Sequence, residues 1–120
     1  MKFKDKQEAL SVFLKSAILY TELEGGENHK LLNKQFKIIC NSAGFLRKTG
    51  NLIALMELLD NENPGVCAWA AYFLLTIDED RAKRKLKEIE ALKIPHLSMS
   101  AEYTLKEWEA GNLNIYFGEY

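Results

Sequence analysis

The residues of this chain best suited to acid–base, nucleophilic or metal chemistry are two histidines and two cysteines: His29, Cys40, Cys67 and His96. No two of them fall at the spacing of a metal-ligand pair, and zinc needs four clustered donors, so no metal site is expected. A catalytic thiol needs a partly exposed, electropositive position with a base close by. Cys40 and Cys67 lie instead within helical apolar patterns, which predicts reduced, buried thiols. Gly25 and Gly26 lack both the following lysine and the preceding strand of a phosphate-binding loop. No cofactor is expected, and the chain reads as not an enzyme. An enzymatic reading would require a deep polar pocket near His29 or His96.

The charged candidates point to binding. Arg81, Lys83, Arg84, Lys85 and Lys87 are crowded together, and a helical wheel sets Lys83, Arg84 and Lys87 on an outer face. Such a ridge could meet phosphates. No aromatic residue interleaves with it to stack on bases, and Glu88, Glu90 and the acids Asp78, Glu79 and Asp80 balance its charge. Glu102, on an amphipathic segment, is expected to tie its helix to a neighbour or to cap it. Over the whole chain, 16 basic residues against 17 acidic ones leave no net field to recruit nucleic acid. The residues expected to contact a partner are Lys83, Arg84 and Lys87, with Glu102, Lys106 and Glu109 on the last helix.

The elements that must position these residues all read as helices. With 120 residues, one domain is expected, and only two prolines and seven glycines interrupt it. The start, "MKFKDKQEALSVFLKSAILY", is too interrupted by charge for a signal peptide. No apolar run approaches the ~20 residues of a membrane span, so a cytoplasmic protein without membrane contact is expected. A first helix over residues 5 to 24 carries the stripe Leu10, Phe13, Leu14, Ala17, Ile18 and Thr21, and "EGGEN" stops it. Asn28 caps a second helix with two stripes, Leu32, Phe36, Ile39, Ala43 and Leu46 beside Leu31, Ile38 and Phe45. A short third helix follows Asn51 as cap.

The fourth helix is apolar on nearly every side. "NENPGVCAWAAYFLLTIDED" has Asn63 then Pro64 as a start signal, and from Pro64 to Ile77 only Thr76 has a hydrogen-bonding alcohol in its side chain apart from Tyr72. Val66, Ala70, Phe73 and Ile77 are expected on one face, with Cys67, Ala71, Leu74 and Leu75 over the other, so protein must cover it nearly all round. "DED" opens a fifth helix with Ala82, Leu86 and Ile89 facing inward. "KIPHLS" breaks the chain. A sixth helix carries Leu97, Ala101, Leu105 and Trp108, with Ser98 as its cap and Gly111 as its stop. The tail "LNIYFGEY" is expected either to dock as an extended segment or to stay mobile.

At an offset of 31 residues the fourth helix aligns on the sixth: Val66 with Leu97, Ala70 with Ala101, Leu74 with Leu105 and Ile77 with Trp108. The second aligns on the fourth at an offset of 27. An all-α fold is therefore expected, a short solenoid of about six helices in three antiparallel hairpins. "LIALMELLDNENPGVCAWAAYFLL" resembles a HEAT repeat, with Cys67 where a basic residue is usual. The whole stretch from about residue 5 to 113 resembles a bacterial family of small HEAT-like domains of unknown function. The resemblance is carried by "GGENHKLLNKQFK" and by a "SAE.TL.EW..G.L" ending, here Ser100, Ala101, Glu102, Thr104, Leu105, Glu107, Trp108, Gly111 and Leu113. The resemblance implies a fold and a binding style, with no catalytic residues to transfer. The expected function is a noncatalytic protein-binding module, in particular an immunity protein that occludes a cognate toxin domain. The alternative is a nucleic-acid-binding repeat protein that uses the basic fifth helix.

Overall fold

The computed structural model describes residues 2–120. They form five α-helices and one 3-10 helix, with no strand among the described residues. In chain order these are α1 (Lys6–Leu23), α2 (His29–Lys48), the 3-10 helix (Leu52–Leu58), α3 (Pro64–Leu74), α4 (Glu79–Ala91) and α5 (Leu97–Glu109). The protein is all-α, with the six expected helical segments. It divides into two compact units, one running up to Leu55 and including Tyr116–Tyr120, the other Met56–Ile115.

In the first unit α1 packs on α2. Asp5 begins α1 by accepting the Glu8 N–H at 2.9 Å, while Glu8 accepts the Lys4 N–H, so two backbone donors at the helix start are satisfied. Asn28 begins α2 as expected, accepting the Leu31 N–H at 3.1 Å. The buried stripes Leu10, Phe13 and Ala17 on α1 and Ile39, Ala43 and Leu46 on α2 supply apolar core. The tail docks on α2, with Phe117 buried, and turns at Gly118 and Glu119 rather than running extended.

The second unit holds α3, which packs on α4 and, less extensively, on α5, while α4 packs on α5. Asn63 accepts the Gly65 N–H at 2.8 Å with Pro64 at the first helical position, a cap worth about 1 kcal/mol. Gly65, Val66, Cys67, Ala70, Ala71, Phe73 and Leu74 are all buried, which leaves α3 the nearly all-round cover that its composition requires. Asp78 caps α4 by accepting the Arg81 N–H at 3.3 Å, with Glu79 and Asp80 in the first turn.

Four expectations change. The third helix is of 3-10 type: seven residues between two turns are too few to sustain an α-helix on their own. Asn51 does not cap it with its side chain; its Nδ2 donates back to the Thr49 carbonyl and hydroxyl, closing the end of α2. Helix α3 ends at Leu74, and Ile77 is 48% exposed, because Thr76 Oγ1 donates to the Phe73 carbonyl and Asp78 must leave the helix to cap α4. Ser98 does not cap α5. Its buried hydroxyl accepts the Ile94 N–H and donates to the Ile89 carbonyl, both at 2.7 Å, joining the end of α4 to the turn that follows. His96 takes the cap position in the left-handed region, φ 65°, without a side-chain cap bond.

Candidate protein-docking surface

Helix α5 divides cleanly into two faces. Leu97, Ala101 and Leu105 are buried on one. Met99, Glu102, Tyr103, Lys106, Glu109 and Ala110 recur at spacings of three and four residues and are all exposed. Within that face Met99 is 73% and Tyr103 61% exposed, one helical turn apart. Leu92, at the end of α4, is likewise exposed. Large apolar side chains grouped beside charges are the composition of a protein-docking patch, whose apolar centre gains from desolvation and whose rim stays wet. Glu102, Lys106 and Glu109, expected from sequence to meet a partner, lie on this face. Met99 and Tyr103 were missed, although their position opposite the Leu97, Ala101 and Leu105 stripe was already a signal.

Helix α4 presents its charges differently. Lys83 is half-buried rather than outward, with Nζ 3.7 Å from both Glu79 Oε2 and Glu109 Oε1. Glu79 Oε2 also accepts the Trp108 indole N–H at 2.7 Å. Trp108, Glu79, Lys83 and Glu109 thus tie the start of α4 to the end of α5, so part of the expected contact set is engaged within the fold. Arg81 pairs with Asp78 at 3.7 Å, and Lys85 with Glu88 at 2.8 Å and Asp60 at 3.5 Å. The hydrogen bond that Lys85 donates to the Glu88 carboxylate raises the Lys85 pKa against the opposing effect of its partial burial. Arg84 and Lys87 are exposed and make no ion pair among the described residues. Of five basic side chains, three are neutralised at short range, which leaves a ridge of two.

Glu102 neither ties α5 to a neighbour nor caps it. It is exposed on one wall of an open cleft of about 260 Å³, shared with Glu90, Lys93, Ile94, His96 and Met99. Ser98 lines this cleft too, but its hydroxyl is committed to backbone partners in both directions. His29 is exposed at the start of α2. A second open cleft, about 310 Å³, lies over Met56 and Leu59 between Asp60, Arg81, Arg84, Lys85 and Glu88.

Both thiols are free and buried. Burial pushes Cys40 up to about 12. Burial also raises Cys67, with the nearby Lys85 charge acting the other way; the Cys67 thiol donates to the Asn61 carbonyl at 3.1 Å. No group of three or more His, Cys, Asp or Glu that could hold a metal ion occurs among the described residues, and no helix there is long and apolar enough to cross a membrane. Set beside known proteins, the chain matches no family model, no curated protein and no solved structure.

Proposed function

We propose that this chain is a noncatalytic protein-binding module and, more specifically, a cytoplasmic bacterial immunity protein of the small HEAT-like kind, neutralising a cognate toxin domain by direct contact. The exposed face of α5 carries the reading: Met99 and Tyr103 stand as apolar anchors with Glu102, Lys106 and Glu109 around them. Buried anchors ringed by polar residues supply most of the affinity of protein interfaces, and tyrosine is prominent among them. The "SAE.TL.EW..G.L" ending supports this reading by resemblance, and its residues Ser100 to Trp108 fall on α5 itself.

The test is co-purification of the chain with the product of the adjacent gene, together with rescue of cells poisoned by that product. Tyr103→Ala is expected to weaken the complex at least tenfold while the chain stays folded. Failure of both co-purification and rescue overturns the proposal. Arg84 and Lys87, exposed without ion pairs, favour a second reading, nucleic-acid binding along α4. Affinity for nucleic acid would then fall steeply between low and moderate salt, and Arg84→Ala with Lys87→Ala would flatten that slope.

A further inference from the structure

Residues Tyr116–Tyr120 lie on α2 as a bound peptide lies on its receptor. Phe117 is the buried anchor, with the Arg47 guanidinium carbon 3.9 Å from its ring centroid. Tyr116 stacks on Phe36 at 6.2 Å, and Tyr120 meets Phe45 edge-on at 6.0 Å and Phe3 at 6.4 Å. Two main-chain hydrogen bonds fix the register. The Glu119 N–H donates to Asn41 Oδ1 at 2.9 Å, and Arg47 Nη2 donates to the Tyr120 main-chain oxygen at 3.1 Å. Anchoring side chains with a few backbone hydrogen bonds are the means by which short segments are recognised.

The receiving face is cut to this segment. Gly44 stands inside a 20-residue helix, where glycine is costly, and a Cβ there would overlap the Phe117 carbonyl and come within 2.9 Å of the Tyr120 Cβ. Gly118 complements it from the tail: its φ is 68°, and a Cβ would overlap the Asn41 side chain. The connector is not held in the same way. Leu113, Asn114 and Ile115 are without regular secondary structure and make no hydrogen bond among the described residues. A self-complementary groove and segment joined by an untied connector are the elements from which chains exchange identical parts at low cost.

We infer that the face of α2 from Phe36 to Lys48 is a recognition groove for an aromatic-Phe-Gly-acid-aromatic segment that turns at its glycine, and that a second copy of this chain fills it with its own Tyr116–Tyr120. Each copy of such a pair gives and receives one tail, so the assembly closes as a dimer. Within one copy the tail competes at an effective concentration on the order of millimolar, so exchange in the wild-type chain emerges as chain concentration approaches that value.

Two full-length variants remove the competition. Gly44→Ala keeps the tail but blocks its own groove; Phe117→Ala keeps the groove but lacks the anchor. Each alone is expected to be a monomer by size exclusion with light scattering, and their equimolar mixture to form a one-to-one heterodimer. A mixture that stays monomeric while circular dichroism shows both variants folded overturns the inference. A measurement on the wild-type chain needs neither variant. Light and heavy isotopic forms mixed near millimolar concentration and cross-linked between Lys48 and Glu119 should yield mixed-isotope links, and same-isotope links alone overturn the inference.

Discussion

The outward faces of α2 and α5 both set large apolar side chains beside charges, and the chain treats them in opposite ways. On α2, Phe36, Phe45 and Gly44 lie under Tyr116–Tyr120. On α5, Met99 and Tyr103 stand in solvent. A covered aromatic face contributes to the fold through desolvation and packing. A bare one leaves that same free energy for a partner, which is why it suggests function rather than stability.

The largest expected effect separates the two faces. Phe117→Ala should lower the unfolding free energy by about 3 kcal/mol, by loss of a buried aromatic anchor. Tyr103→Ala and Met99→Ala should stay within about 0.5 kcal/mol of wild type, as exposed positions do. Denaturant midpoints decide this, and equal losses on both faces would erase the distinction.

Gly44→Ala sharpens the point through its sign. In the wild-type chain the added methyl meets the tail, and a loss of about 1–3 kcal/mol is expected. In a Phe117→Ala background, where the tail no longer seats, alanine should instead gain up to about 1 kcal/mol from helix propensity. A double-mutant cycle that shows simple additivity would mean that Gly44 does not serve the tail.

The cysteines compare the two units from within. Cys40 is raised to about 12 in the folded protein from an ordinary value of 9.0, so the folded state keeps a proton that the unfolded chain gives up. The stability this supplies is present below pH 9 and is lost as pH rises toward 12, at up to about 1.4 kcal/mol per pH unit. Thermal melts over that range should move down, and less so in Cys40→Ala. Alkylation of the folded chain at pH 8 should reach Cys67 before Cys40, since Lys85 opposes the effect of burial on Cys67.

The smallest effect concerns the turn leading to the bare face. Lys93 adopts φ 55°, in the left-handed region after the end of α4. Lys93→Gly should gain about 0.5–1 kcal/mol, because a side chain there costs more than glycine's extra chain entropy. A destabilised variant would show that the Lys93 side chain contributes more than its backbone costs.

Much of the fold was legible because its signals are local. Asn28 and Asn63 with Pro64 cap the helices they were expected to cap, since an N-cap needs only a side-chain oxygen two or three residues from an orphan N–H. The burial of α3 followed from a run of apolar residues that no amphipathic solution could accommodate. Ser98 was misread for the complementary reason. Its local pattern fits a cap, but its hydroxyl is claimed by the Ile89 carbonyl, nine residues back. Lys83 looked outward on a helical wheel, and only the arrival of Glu109 from α5 turned it into a tie.

The sequence by itself therefore determined the helical segments, most of their boundaries and the inward stripes, because these depend on backbone geometry and on apolar spacing within one turn or two. Tertiary structure alone decided where "LNIYFGEY" goes, that Gly44 is a contact rather than a flaw in α2, that Lys83 also meets Glu109 and Lys85 meets Asp60, and that Met99 and Tyr103 remain bare. Each of these depends on residues up to 78 positions apart meeting in space. No local periodicity encodes such a meeting; the packing of the folded chain does.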